Sequence, residues 1–155
     1  MATNLNYDAT HSVSYPSKML ASNGAAHILN VQLTGDCDNG SLIGLGDFID
    51  LDLYEEAAAT TFEGKIQKQA ANGNWYIEVV DPGDSYYVYT VPFIAEEWTK
   101  SFKDLKRWFN ASGSTVRAYQ MCKHDVFELS AEGFAGTPEA GKTVTVEAKK
   151  LKVNA

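Results

Sequence analysis

Cysteine is nearly missing from this chain. Cys37 and Cys122 are the only two in 155 residues, too few for the dense disulfide framework of a small secreted scaffold. Neither has the histidine company that a structural zinc site needs, and His11, His27 and His124 form no H-x-x-x-H pattern. Both are read as free thiols, and no metal and no cofactor is expected. Long apolar runs are missing as well: none approaches the roughly 20 residues of a spanning helix, so no membrane partner is expected. The segment Met1 to Tyr7 has neither the basic start nor the apolar stretch of a signal peptide, which makes a cytoplasm the expected place of synthesis. Basic residues are scarce in the first part. Residues 1–94 carry 3 Lys/Arg against 12 Asp/Glu, while residues 95–155 carry 10 against 8. So acidic a surface argues against nucleic acid, whose phosphates need a basic face. The same asymmetry would let copies meet acidic face to basic face.

What is present is apolar and aromatic. The chain is 45% hydrophobic and 12% aromatic, enough for one folded core. Residues 1–25 are polar, with Pro16 and little periodicity, and read as an extended N-terminal arm in which His11–Tyr15 has the pattern of a short edge strand. Residues 26–155 read as a single β-rich domain. Ala26–Leu33 is its first strand. In Asp47–Tyr54 the alternation predicts Ile49, Leu51 and Leu53 on a buried face, with Asp50, Asp52 and Tyr54 opposite. Thr61–Lys68 and Trp75–Val80 flank an Asn72-Gly73 turn. Asp81-Pro82-Gly83-Asp84 is a second turn, leading into Tyr86–Val91. Trp98, Phe102, Leu105 and Phe109 recur at helical spacing, with Glu96 and Glu97 in the first turn and Lys106 and Arg107 in the last. One amphipathic helix is therefore expected over 95–109. Strands resume at Thr115–Met121, Val126–Ser130 and Thr143–Ala148. The segment Asp125–Glu147, two alternating strands around a Gly/Pro-punctuated excursion, is expected to close the domain as a β-hairpin. The predicted fold class is mainly β, a compact β-barrel or sandwich with one helix.

The chemistry-bearing residues do not assemble into a catalytic pattern. Asp36-Cys37-Asp38-Asn39-Gly40 opens like a calcium loop, but its glycine comes one position early and Asp47 stands where the twelfth-position Glu should be. A plain turn fits better. Asp47, Asp50, Asp52, Glu55 and Glu56 cluster as a glycosidase pair might, yet they read as a solvated outer strand face. Gly44-Leu45-Gly46 and Gly133 with Gly136 lack the Lys-Ser/Thr of a phosphate loop, and no nucleophile elbow is visible. No catalytic residue is nominated, and the chain is expected not to be an enzyme. Tyr86, Tyr87 and Tyr89 cannot all face inward on one strand. They are nominated as self-contact or interface residues, because tyrosine is enriched at interfaces.

Two segments carry a resemblance: Asp125-Val126-Phe127-Glu128-Leu129-Ser130 with Gly136-Thr137-Pro138-Glu139-Ala140-Gly141-Lys142-Thr143-Val144, and Gly64-Lys65-Ile66 with Ala70-Ala71-Asn72-Gly73-Asn74-Trp75-Tyr76-Ile77-Glu78-Val79-Val80. In these the chain resembles the head decoration, or cement, proteins of tailed bacteriophages. The resemblance is one of texture over residues 40–150: small, acidic, β-rich, with a polar arm. It implies a non-enzymatic protein on the outside of a phage capsid, bridging subunits of the major capsid protein, as a homo-oligomer and favourably a trimer. The virion is then its place, after synthesis in the host cytoplasm. It further implies an arm lying on the shell, with Asn4, Tyr7, His11, Tyr15 and Lys18 as contact residues. The alternative is a carbohydrate-binding or receptor-adhesion β-domain whose exposed aromatics face a sugar.

Overall fold

The computed structural model describes residues 11–22, 28–51, 53–91 and 108–154. Its strands are β1 (Ser14–Lys18), β2 (Ile28–Gln32), β3 (Leu42–Asp50), β4 (Leu53–Ala57), β5 (Glu63–Gln69), β6 (Trp75–Asp81), β7 (Tyr86–Val88), β8 (Thr115–Gln120), β9 (Val126–Leu129), β10 (Phe134–Ala135), β11 (Thr143–Glu147) and β12 (Lys150–Val153). The molecule is mainly β. Five strands close a barrel in the order β2-β4-β3-β7-β8, and the other seven form a sheet in the order β1-β9-β6-β5-β11-β12-β10. Pairing is antiparallel throughout except for β2 with β4 and β10 with β12.

Period-two alternation explains how barrel and sheet hold together. Ile43 and Val88 point into the barrel, with Val31, Leu33, Val116 and Ala118. Their neighbours Leu42 and Tyr87 point the other way and join Ile66, Ile77, Val79, Phe127, Leu129, Val144 and Leu151 of the sheet. Both faces of β3 and β7 are therefore buried where the two units meet, as successive side chains on a strand must be when each face has a partner. Leu42, Ile43, Tyr87 and Val88 are fully buried, and burial of each large apolar side chain contributes about 1.5–3 kcal/mol.

Local chemistry accounts for the turns. Gly83 takes φ +54° after Pro82, and a Cβ there would lie 2.6 Å from the Thr61 carbonyl oxygen. Asp84 fastens this turn: Thr60 and Thr61 each donate a backbone N–H and a hydroxyl to its carboxylate. Hydrogen bonds from the Thr60 side chain, then from the Thr61 backbone, hold this exposed carboxyl down at about 2. Gly44 and Gly46 serve close packing of strands: a Cβ on either would stand 2.7 Å from the carbonyl oxygen of Ala58 or Glu55.

Three expectations are corrected. The Asp125–Glu147 segment is not a hairpin: β6 and β5 lie between β9 and β11 in the sheet. The hairpin partner of β11 is β12, through Ala148 and Lys149 at φ +48° and +71°, a two-residue turn of the kind usually written with Asn or Gly. The Asp47–Tyr54 strand breaks at Leu51, and Ile49 and Leu51 are 46% and 82% exposed rather than buried. Pairing of β3 with β7 stops at Leu42 and Ile43, so the outer half of β3 is left with β4 alone. A two-stranded ribbon has no interior to bury an apolar face in. Register shifts between Leu45 and Phe48, and again between Phe48 and Asp50, break the alternation as well. The helix expected over 95–109 lies outside the described residues up to Arg107. Its last two positions, Trp108 and Phe109, are not helical, and Asn110 bridges to Cys37 in extended backbone.

Candidate functional site

Of the nominated arm residues that are described, His11 and Tyr15 have side chains engaged in the fold and Lys18 does not. Asn4 and Tyr7 lie outside the described residues. The His11 imidazole N–H donates to the Asp38 carboxylate at 2.6 Å, and its ring stacks on Phe109 with centroids 5.0 Å apart. Ser12 donates its N–H to Asp38 and its hydroxyl to the Asn39 carbonyl. The Val13 N–H donates to the Ser130 hydroxyl, and the Ser14 hydroxyl bonds to the Glu128 carbonyl and shares a hydrogen bond with the Tyr87 hydroxyl. Through these bonds Ser14–Lys18 becomes an edge strand on β9. Tyr15 is half-buried beside Tyr89, whereas Lys18 is exposed.

The Asp36–Gly40 segment is the hub that receives the bonds of His11 and Ser12. The Asn39 side chain accepts from the Thr90 N–H and the Asn110 amide and donates to the Thr90 carbonyl. Asp36 accepts from the Ser112 N–H. With Asp38 taken by His11 and Ser12, each side chain of the would-be calcium loop has a structural partner. Among the described residues no group of three or more His, Cys, Asp or Glu could hold a metal ion.

The other titratable groups are tied in a similar way. Glu56 leaves the exposed acidic cluster: its side chain is buried, bonded to Lys149 Nζ at 2.6 Å and to the Thr34 N–H and hydroxyl. Burial pushes its carboxyl up, but Lys149 and Thr34 together outweigh this and hold it below the usual range. Burial pushes the Cys37 thiol up to about 12, far from the thiolate a nucleophile needs. The buried Asp125 carboxylate accepts from the N–H groups of Leu20 and Cys122. His124 is exposed, 3.9 Å from Glu78, and His27 lies outside the described residues.

The three tyrosines separate. Tyr87 is completely buried at the junction of barrel and sheet, against Phe127 and Tyr119, and burial raises its phenol well above the ordinary value. It is a core residue and is unable to reach another molecule. Tyr86 packs on the barrel core, and Tyr89 meets Tyr119 edge-on, both half-buried.

What stands out on the surface is the tip of the β3–β4 hairpin. Phe48 is 61% exposed, beside Ile49 and Leu51. Phe48 touches only the edge of Tyr54 among aromatic partners described. Asp47, Asp50 and Glu55 are exposed around this tip, and Asp50 accepts the Leu51 N–H at 2.7 Å. Turn tips are ordinarily polar, whereas this one exposes three large apolar groups within four residues. Sequence reasoning missed it because clean alternation there reads as a buried strand. Comparison of the chain with protein-family models, curated proteins and solved structures found no match.

Proposed function

We propose that this chain is a non-enzymatic structural protein that binds the outside of a tailed-phage capsid and stabilises the shell by bridging subunits of the major capsid protein. The observation that carries this reading is the contrast at the surface. The polar and titratable groups of the described hub and turns are bonded internally, while large apolar side chains are displayed at the β3–β4 tip. That is the surface of a protein that works by contact. The resemblance to decoration proteins supplies the kind of partner. The copies act as a homo-oligomer, in the favoured form a trimer, and the arm lies on the shell through residues ahead of β1. A protein that binds the assembled lattice better than free subunits stabilises it by mass action, and many weak contacts on one shell add through multivalency.

Purified chain is mixed with expanded heads that lack it, and the heads are sedimented and heated. Saturable co-sedimentation with a raised disruption temperature is expected. Absence of binding, together with saturable binding to a glycan array, would replace this reading with the adhesion alternative. Deleting residues 1–10, which leaves β1 and its hydrogen bonds in place, tests the arm: undiminished binding removes it from the contact.

A further inference from the structure

The hairpin tip has a complement on the same chain. A groove of about 590 Å³ runs between β1 and the loop before β9, lined by Pro16, Lys18, Leu20, Lys123 and His124 among others. Met19 is buried beside it, and Leu20 is 56% exposed. Lys18 and Lys123 are exposed on its rim, and neither forms an ion pair among the described residues. The groove's one carboxylate, on Asp125, is buried and occupied by two backbone N–H groups. Nearby, Glu78 faces His124 and Glu128 accepts from Ser17. In a chain of net charge −7, this is a cleft with Pro16, Met19 and Leu20 in its lining and two exposed lysines on its rim, its own carboxylate being buried and bonded. The β3–β4 tip is its inverse, three apolar side chains ringed by Asp47, Asp50 and Glu55.

We propose that the groove of one copy receives the β3–β4 tip of a second copy, Phe48 and Leu51 on its apolar lining and the tip carboxylates against Lys18 and Lys123. Burying Phe48 and Leu51 drives the contact, and the opposed charges set its register and suppress wrong pairings. The tip belongs to the barrel and the groove to the sheet, so each copy offers both halves of the joint. The tip's acidic ring also disfavours an anionic lipid surface, which attracts basic segments. The contact rests on the homo-oligomer of the capsid reading and shares the tip with it, but self-association is measured on this chain alone and head binding separately, so the failure of one is distinguishable from the failure of the other.

Sedimentation velocity over a concentration series tests it on the full chain, with circular dichroism confirming that each variant is folded. Reversible self-association that weakens with added salt is expected. Phe48→Ser weakens it roughly tenfold or more, the scale of a truncated aromatic anchor. Asp47→Lys and Lys123→Glu each weaken self-association, yet an equimolar mixture of the two associates, because the unaltered tip of the Lys123→Glu chain meets the unaltered groove of the Asp47→Lys chain, and the reversed tip meets the reversed groove. A wild-type chain that stays monomeric, an unchanged Phe48→Ser variant, or a charge-reversed mixture no better than its parts would overturn the proposal. So would a monomeric chain that binds neutral phosphatidylcholine vesicles through Phe48, since the tip would then belong to a lipid surface.

Discussion

Asp84 is exposed, yet its carboxylate is saturated by four donors from Thr60 and Thr61. Its depressed value fixes a sign. The carboxylate's contribution to stability is complete above the ordinary 3.8 and is lost as pH falls to about 2. The effect is modest, because solvent screens an exposed group. Urea titrations at stepped pH should show wild type losing stability across that window and Asp84→Asn losing less; parallel profiles would contradict the assignment. The Asp81–Asp84 turn was legible because Pro and Gly carry their backbone geometry with them. The partners of Asp38, Asn39 and Asp84 were not. They lie 23 to 71 residues away in sequence, and nothing local in an Asp or Asn names a distant donor. For the same reason Tyr87 looked like a surface contact: its burial depends on Phe127 and Tyr119 arriving from other strands.

At the scale of elements, two hairpins show where pattern reading succeeds and fails. β5 and β6 were legible because their turn contains Asn72-Gly73, with Gly73 at φ +92°. β11 and β12 were not, because Ala148 and Lys149 adopt positive φ without a glycine or asparagine to announce it. Lys149 is held in that turn by Glu56 of β4, so one ion pair ties the sheet's hairpin to the barrel. Lys149→Met would leave a buried carboxylate without its cation, whereas Glu56→Gln keeps an acceptor for the Thr34 N–H. We expect Lys149→Met to destabilise the fold by about 1–3 kcal/mol and Glu56→Gln by less. The urea midpoints of the two variants check the order, and the reverse order would show that the pair does not join the units as described. The β3–β4 tip failed for another reason: alternation states that a strand has two unlike faces, but not whether a neighbour covers the apolar one.

For the whole molecule, the mainly β class was legible from short alternating segments and turn residues, while the division into barrel and sheet was not. That division depends on β3 and β7 being apolar on both faces. Leu42-Ile43 and Tyr87-Val88 state this in the sequence, but only the pairing order shows which face meets which unit. In the proposed reading the molecule is a scaffold whose buried polar groups build the fold and whose exposed apolar tip makes contacts. Electron cryomicroscopy of expanded heads incubated with the chain decides whether it binds the shell. Added density is expected on the outer face of the shell, bridging adjacent capsid subunits, into which the barrel and sheet fit. Heads whose outer face is unchanged at saturating protein would contradict the proposed reading.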